Sequence, residues 1–172
     1  VDTWKEFDQN IITHSAAHHL MAIDDLVGRL GYARVSDIAR RLNITRGSVS
    51  ISLKPMKEAG LVLQDENRHL RLSESGQNLV NAIKNKRLLI QRLFVKLLGV
   101  PDQQADIDAC KMEHLISGET ERRLVAFMCF VESDQPEADA FLEAWRVFSK
   151  DADDTVKYPQ CLKQAAGESS PG

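Results

Sequence analysis

Cys110, Glu113 and His114 fall at i, i+3 and i+4, a spacing that sets all three on one face of a helix. Thiolate, carboxylate and imidazole are all ligands for a transition metal of intermediate softness. Spacing alone is a weak signal, because a buried cysteine beside two surface residues gives the same pattern. A metal site therefore needs further donors from elsewhere in the chain and elements that bring them together.

The 172 residues are 43% hydrophobic and 27% charged, ordinary for a globular protein with one large domain or two small ones sharing a core. No apolar run is long enough to span a bilayer, and no signal peptide is read at the N-terminus, so a cytoplasmic protein is expected. Cys110, Cys129 and Cys161 are odd in number and widely spaced, which suits a reducing compartment and not a disulfide framework. The net charge of −3 conceals an asymmetry. Residues 31–72 hold eight basic side chains against four acidic, net +4, and residues 99–172 hold seven against fifteen, net −8. One part is suited to face phosphate and the other to stay away from it.

The apolar period predicts a helix over 5–30, ended by Gly31. Ser36 is expected to cap a short helix over 37–42, and Thr45 a second over 46–58, with a tight link at Asn43 and Ile44. Pro55 is expected to kink or shorten that second helix. Two short strands, 61–64 and 68–72, flank the polar corner Asp65, Glu66, Asn67 and form a β-hairpin. Helix, link, helix and hairpin make a winged helix-turn-helix. Ser73 caps a long helix, and further helices follow at about 103–116, 119–132 and 136–150. The fold class is mostly α, with a winged helix-turn-helix and its small hairpin followed by an all-α part. The expected division is 1–73, 74–150 and a flexible tail, 151–172.

The outer face of helix 46–58 presents Thr45, Arg46, Ser48, Ser50, Ile51 and Lys54. Small hydroxyls and a β-branched side chain suit base edges and the thymine methyl. Arg46, Lys54, Arg34 and Arg68 are candidates for phosphate contacts, and Ser36 joins the DNA-facing set. The alternative is a winged helix that binds protein.

The ordered segments Gly31-Tyr-Ala-Arg-Val-Ser-Asp-Ile-Ala39, Ser48-Val-Ser50, Lys57-Glu-Ala-Gly-Leu-Val62, Leu72-Ser-Glu-Ser-Gly76, Leu98-Gly-Val100, Ala109-Cys-Lys-Met-Glu-His114 and Glu121-Arg-Arg-Leu-Val125 resemble the diphtheria toxin repressor family of metal-dependent transcriptional regulators over about residues 15–130. The resemblance implies a homodimer whose helices beyond residue 73 supply the dimer interface, bound to a palindromic double-stranded operator. It also implies a metal between the first helix and the second domain, held by His18, Cys110, Glu113 and His114, with a hinge near Ser73. Met21 and His14 are possible additional ligands. The expected output is repression of metal uptake when metal is plentiful. The family's ancillary site maps onto Arg87, Gln91 and Asp106; arginine cannot act as a ligand, so an Arg87–Asp106 ion pair is expected in its place. The iron-type branch often adds a C-terminal SH3-like domain, which is not expected within these 172 residues, and the last helix resembles the manganese-type layout.

The donor set suits Fe(II) first, then Zn(II), Co(II) or Ni(II), and suits Mn(II) less because manganese prefers oxygen. Two other classes remain open. One is a metal-independent winged-helix regulator sensing redox state or a small molecule through Cys110 or Cys161. The other is a small zinc hydrolase using Glu113, for which no further catalytic set is visible.

Overall fold

The computed structural model describes residues 13–151. The expected helical stretch before residue 13, the tail beyond residue 151 and Cys161 lie outside the described residues. Helix α1, His14–Leu30, starts later than the sequence suggests, because the Thr13 side chain accepts a hydrogen bond from Ala16 N and caps the first turn. It ends at Gly31, whose φ of +79° is the left-handed conformation glycine adopts freely.

Helix α2, Val35–Leu42, is not capped by Ser36. Arg34 is the cap residue, and Ser36 sits half-buried in the first turn. The helix begins at the Arg34 carbonyl, which accepts from Asp37 N and Ile38 N, because the chain is still extended at Ala33, bridged to Leu70. Helix α3, Arg46–Glu58, begins as expected at Thr45, which accepts from Ser48 N. Pro55 lies inside α3 and does not shorten it.

Strands β1, Val62–Gln64, and β2, Leu70–Leu72, pair antiparallel with Val62 opposite Leu72. Helix α4, Glu74–Lys96, follows, capped by Ser73. Helices α5, Asp102–Met112, α6, Gly118–Val131, and α7, Pro136–Asp151, complete the described chain. Among the described residues no helix is long and apolar enough to cross a membrane.

The packing forms two compact units that meet in sequence at Val125 and Ala126. In the first, Leu20, Ile23, Ile38, Val49, Leu53, Leu70 and Val80 are fully buried in one cluster drawn from α1, α2, α3, β2 and α4. The second holds an aromatic cluster, with the Phe127 and Phe130 rings 6.1 and 6.4 Å from Phe141.

Residue 73, expected as a hinge, is a bonded joint. Ser73 N and Oγ both donate to Leu61 O, at 3.0 and 3.3 Å, and Gly76 packs so tightly that an added Cβ would lie 2.2 Å from the same carbonyl. Two charged bridges brace α4 against α1: Lys84 Nζ reaches Asp24 Oδ2 at 2.7 Å and Asp25 Oδ1 at 3.3 Å. Gln77 adds a bond to Asp24, and Arg41 of α2 one to Asp25.

The tight joint makes a paired test. Gly76→Ala is expected to destabilise the fold by about 2–3 kcal/mol, because the clash is with backbone. Gly28→Ala, in the exposed part of α1 with no atom within 4 Å of the added carbon, is expected to stabilise it by about 0.5–1 kcal/mol. Urea unfolding of the two variants checks this, and similar effects from both would contradict the joint.

Candidate metal centre

Helix α1 carries His14 and His18 one turn apart, so their rings share a face. Helix α5 brings Cys110 to that face. His18 Nε2 stands 3.5 Å from Cys110 Sγ and 3.0 Å from His14 Nε2. Donor atoms of His14, His18 and Cys110 all lie within 4.8 Å of one another.

The expected helix over 103–116 ends at Met112. Glu113 keeps helical backbone angles, and its N–H bonds Ala109 O at 2.8 Å, so it stays one turn from Cys110. The chain then tightens, with Leu115 N bonding Met112 O, and His114 lies in that turn. Glu113 and His114 are outside the tight three-residue group. The His114 ring is nevertheless 4.8 Å from that of His14.

Glu113 is 1% exposed, and neither of its carboxyl oxygens has a hydrogen-bond partner among the described residues. The same holds for the buried Nδ1 of His114. Unpartnered buried polar atoms are costly and uncommon. Three lone-pair donors left open beside a cysteine and two histidines suit a divalent cation. The residues therefore fit a metal.

Burial disfavours charge on Cys110, Glu113, His18 and His114. Burial pushes the Glu113 carboxyl up to about 7, against the opposing pull of Arg87. Burial also raises the Cys110 thiol, and burial followed by the neighbouring His14 lowers His18. His114 is lowered by burial, then by His14. Neutral imidazoles are ready ligands, whereas the thiol and carboxyl release protons on binding metal.

Arg87 of α4 and Asp106 of α5 form the expected pair, with Nε–Oδ1 at 2.9 Å and Nη2–Oδ2 at 2.7 Å. A guanidinium has no lone pair to offer a metal. Met21, a possible ligand by sequence, is buried in the apolar core. Together with His18, Arg41 and Arg87 it lines a cavity of ≈ 250 Å³.

In the helix-turn-helix and wing, Arg46, Ser50, Ile51, Lys54 and Arg68 are exposed, Ile51 to 76%. The Arg46, Lys54 and Arg68 side chains have no partner among the described residues. Thr45 and Ser48 are exposed too, but their hydroxyls bond each other at 2.9 Å. Arg34 is held by the wing: its Nη2 donates to His69 Nε2 at 2.9 Å, and its guanidinium lies 5.3 Å from the Tyr32 ring centre. Asp65 in turn faces His69 Nδ1 at 3.3 Å. Sequence reasoning missed Asp65 and His69, which carry no motif, and assigned no role to Tyr32 inside the Gly31–Ala39 segment. It also underrated His14, although the four-residue spacing from His18 was visible.

Two models of one family match the chain. Residues 12–70 match the iron-dependent repressor N-terminal DNA-binding domain, and residues 73–140 match the iron-dependent repressor metal-binding and dimerisation domain. The iron-dependent repressor IdeR of Mycobacterium tuberculosis is 39% identical over 88 residues, 51% of this chain and 38% of that protein. The diphtheria toxin repressor of Corynebacterium diphtheriae is 35% identical over 88 residues, 51% and 39% of the two chains. The matched part thus spans well under half the length of either relative. The HTH-type transcriptional regulator MntR of Lysinibacillus sphaericus is 29% identical over 77% of this chain and 94% of its own. Among solved structures, T. acidophilum IdeR matches with a TM-score of 0.57 at 28% identity, covering 65% of this chain and 53% of that one. The manganese regulator SloR matches at 0.59 and 25%, covering 66% and 53%.

The raised carboxyl gives a pH prediction for chelator-treated protein. Between pH 4.5 and 7 the unfolded chain ionises Glu113 while the folded chain keeps it protonated. The folded state binds more protons there, so this group's contribution to stability falls as pH rises. Glu113→Gln removes that contribution. The stability difference, wild type minus variant, is expected to fall by about 2 kcal/mol from pH 4.5 to 7.5 in urea titrations. A pH-independent difference would contradict the protonated buried carboxyl.

Proposed function

The chain belongs to the iron-dependent repressor family, and from that premise we propose that it is a metal-responsive DNA-binding transcriptional repressor that acts as a homodimer. The observation that carries the reading is the meeting of His18 on α1 with Cys110 on α5, 3.5 Å apart and 92 residues apart in sequence, beside the unpartnered carboxyl of Glu113. In this reading His18, Cys110, Glu113 and His114 hold the ion. Fe(II) is the proposed metal; Zn(II), Co(II) and Ni(II) also suit the donors, and Mn(II) suits them less.

A bound divalent ion supplies positive charge and coordinate bonds to both helices. The rest is the work of the chain. Ala17, Leu20 and Ile23 of α1 share a core with Val49 and Leu53 of α3, so fixing His18 fixes the reading helix. Residues 1–73 form the DNA reader in this proposal, and residues 74–150 hold the metal and the partner subunit. Exposed Leu88 on α4, with Ile107 and Met112 on α5, offers apolar surface to a second copy. Dimer symmetry then sets two α3 helices about one DNA turn apart, suited to a palindromic operator. Metal and DNA favour the same arrangement, so each raises affinity for the other.

Ser50 and Ile51 face base edges in this scheme, and Arg46, Lys54, Arg68 and Arg34 hold phosphate. Thr45 and Ser48 contribute as the capped, bonded start of α3, and Ser36 through the first turn of α2.

Anisotropy with operator-like DNA tests the reading. Fe(II) added anaerobically is expected to raise affinity tens-fold, chelator to reverse it, and His18→Ala to abolish the response. Equal binding with and without metal would sink the metal reading, and a response to oxidant alone would favour the cysteine-sensing alternative.

The wing gives a second test. Arg68 has φ +61°, a conformation that costs a non-glycine residue about 1 kcal/mol. Arg68→Gly is expected to leave the fold as stable or stabler while weakening DNA binding and reducing the salt slope by about 1. Unchanged affinity and slope would remove Arg68 from the interface.

A further inference from the structure

His14 is the first residue of α1, held there by the Thr13 cap. It is exposed, yet it is not turned to solvent: Nε2 stands 3.0 Å from His18 Nε2, and its ring is 4.4 Å from that of His18 and 4.8 Å from that of His114. One interpretation is a simple imidazole–imidazole hydrogen bond. The surroundings fit another role better, because three histidine rings and a thiol converge from α1, α5 and the turn after α5.

The separations match those of ligands on one ion. Metal–nitrogen bonds of about 2.0–2.1 Å put two nitrogens roughly 3.0–3.4 Å apart, and a sulfur bond of about 2.3 Å puts sulfur and nitrogen roughly 3.1–3.5 Å apart. The observed values are 3.0 Å for His14–His18 and 3.5 Å for Cys110–His18. His14 thus belongs to the tight group with His18 and Cys110, whose donor atoms all lie within 4.8 Å of one another.

We propose that His14 is itself a ligand of the metal, and that with it the site becomes an imidazole-and-thiolate centre that selects against manganese. The inference rests on the metal-responsive reading and deepens it by naming the class of ion. Three imidazoles and a thiolate leave Glu113 as the one oxygen donor. Mn(II) is the weakest binder of the first-row divalent series and favours carboxylate and carbonyl oxygen, whereas Co(II), Ni(II) and Zn(II) accept imidazole and thiolate. His14 is therefore the specificity-determining position, at the first turn of α1, where a side chain can change without disturbing the core.

The test is metal binding by full-length protein, read by titration calorimetry and by Co(II) absorption with no DNA present. Wild type is expected to bind Co(II) with a thiolate charge-transfer band and at least a hundredfold more tightly than Mn(II). His14→Ala is expected to weaken Co(II) binding at least tenfold and to alter the visible bands. His14→Glu, a carboxylate suited to the positive start of a helix, is expected to narrow the Co(II)/Mn(II) ratio at least tenfold. Circular dichroism on both variants verifies that α1 remains folded. If His14→Ala binds Co(II) with the wild-type affinity and spectrum while Cys110→Ser does not bind, the inference is overturned and the His18–Cys110 site stands. If wild type binds no Co(II), the metal-responsive reading falls, and this inference with it.

Discussion

Lys84 reaching from α4 to Asp24 and Asp25 on α1 is the crossing on which the rest of the site depends. Helix α1 must satisfy two neighbours at once. Its apolar face is buried against α3, and its histidines must meet a cysteine carried by α5. Helix α5 packs on α4, so the position of α1 against α4 decides whether His18 and Cys110 come within reach. The two carboxylates, an amine and the Gln77 amide fix that position with directional bonds on a partly exposed edge, where apolar contact alone would permit sliding. The exposed pairs each contribute little to stability; their importance lies in alignment.

Charge around the centre is arranged with equal economy. Arg87 lies close enough to Cys110 and Glu113 to lower both acids, yet it is tied to Asp106 by two hydrogen bonds. The guanidinium thus favours the deprotonated donors without entering the site. Burial opposes it and prevails at Glu113, whose carboxyl is pushed up to about 7. In the proposed reading, a cation displacing these protons would meet donors already positioned and would relieve the cost of burying an unpaired carboxyl.

Most elements were legible in the sequence because each has a local cause. Thr45 and Ser73 announce α3 and α4 as caps, Gly31 ends α1, and alternation of Val62, Leu63 and Gln64 with Leu70, Arg71 and Leu72 marks the hairpin. Local cause fails where a distant segment sets the backbone. Ser36 has the chemistry of a cap, but the bridge from Ala33 to Leu70 holds the chain extended up to Arg34, and the helix starts there. Residues 113–116 have no breaker before Gly118, so their departure from the helix had no sequence signal. The site divides in the same way: Cys110, Glu113 and His18 follow from spacing and resemblance, whereas the wing's Tyr32–Arg34–His69–Asp65 chain unites positions 37 residues apart in sequence. The hinge near Ser73 follows from the resemblance alone, which carries no information about how tightly the two sides are bonded.

That joint has a mechanical meaning for the hairpin. The strands are three residues long, and the residue just before β1, Leu61, offers the carbonyl that receives Ser73 and abuts Gly76. The hairpin is thereby bonded to the start of α4 while Val62 and Leu70 anchor it in the core shared with α1 and α3. Tilting α4 by a few degrees displaces the far tip, near Arg68, through a longer arc than it displaces the joint. In the proposed reading this gives two conduits from the interior to a duplex, one running through α1 to the reading helix and one through α4 to the wing. A sequence change that stiffens or slackens the second would retune grip without touching either the donors or the reading helix.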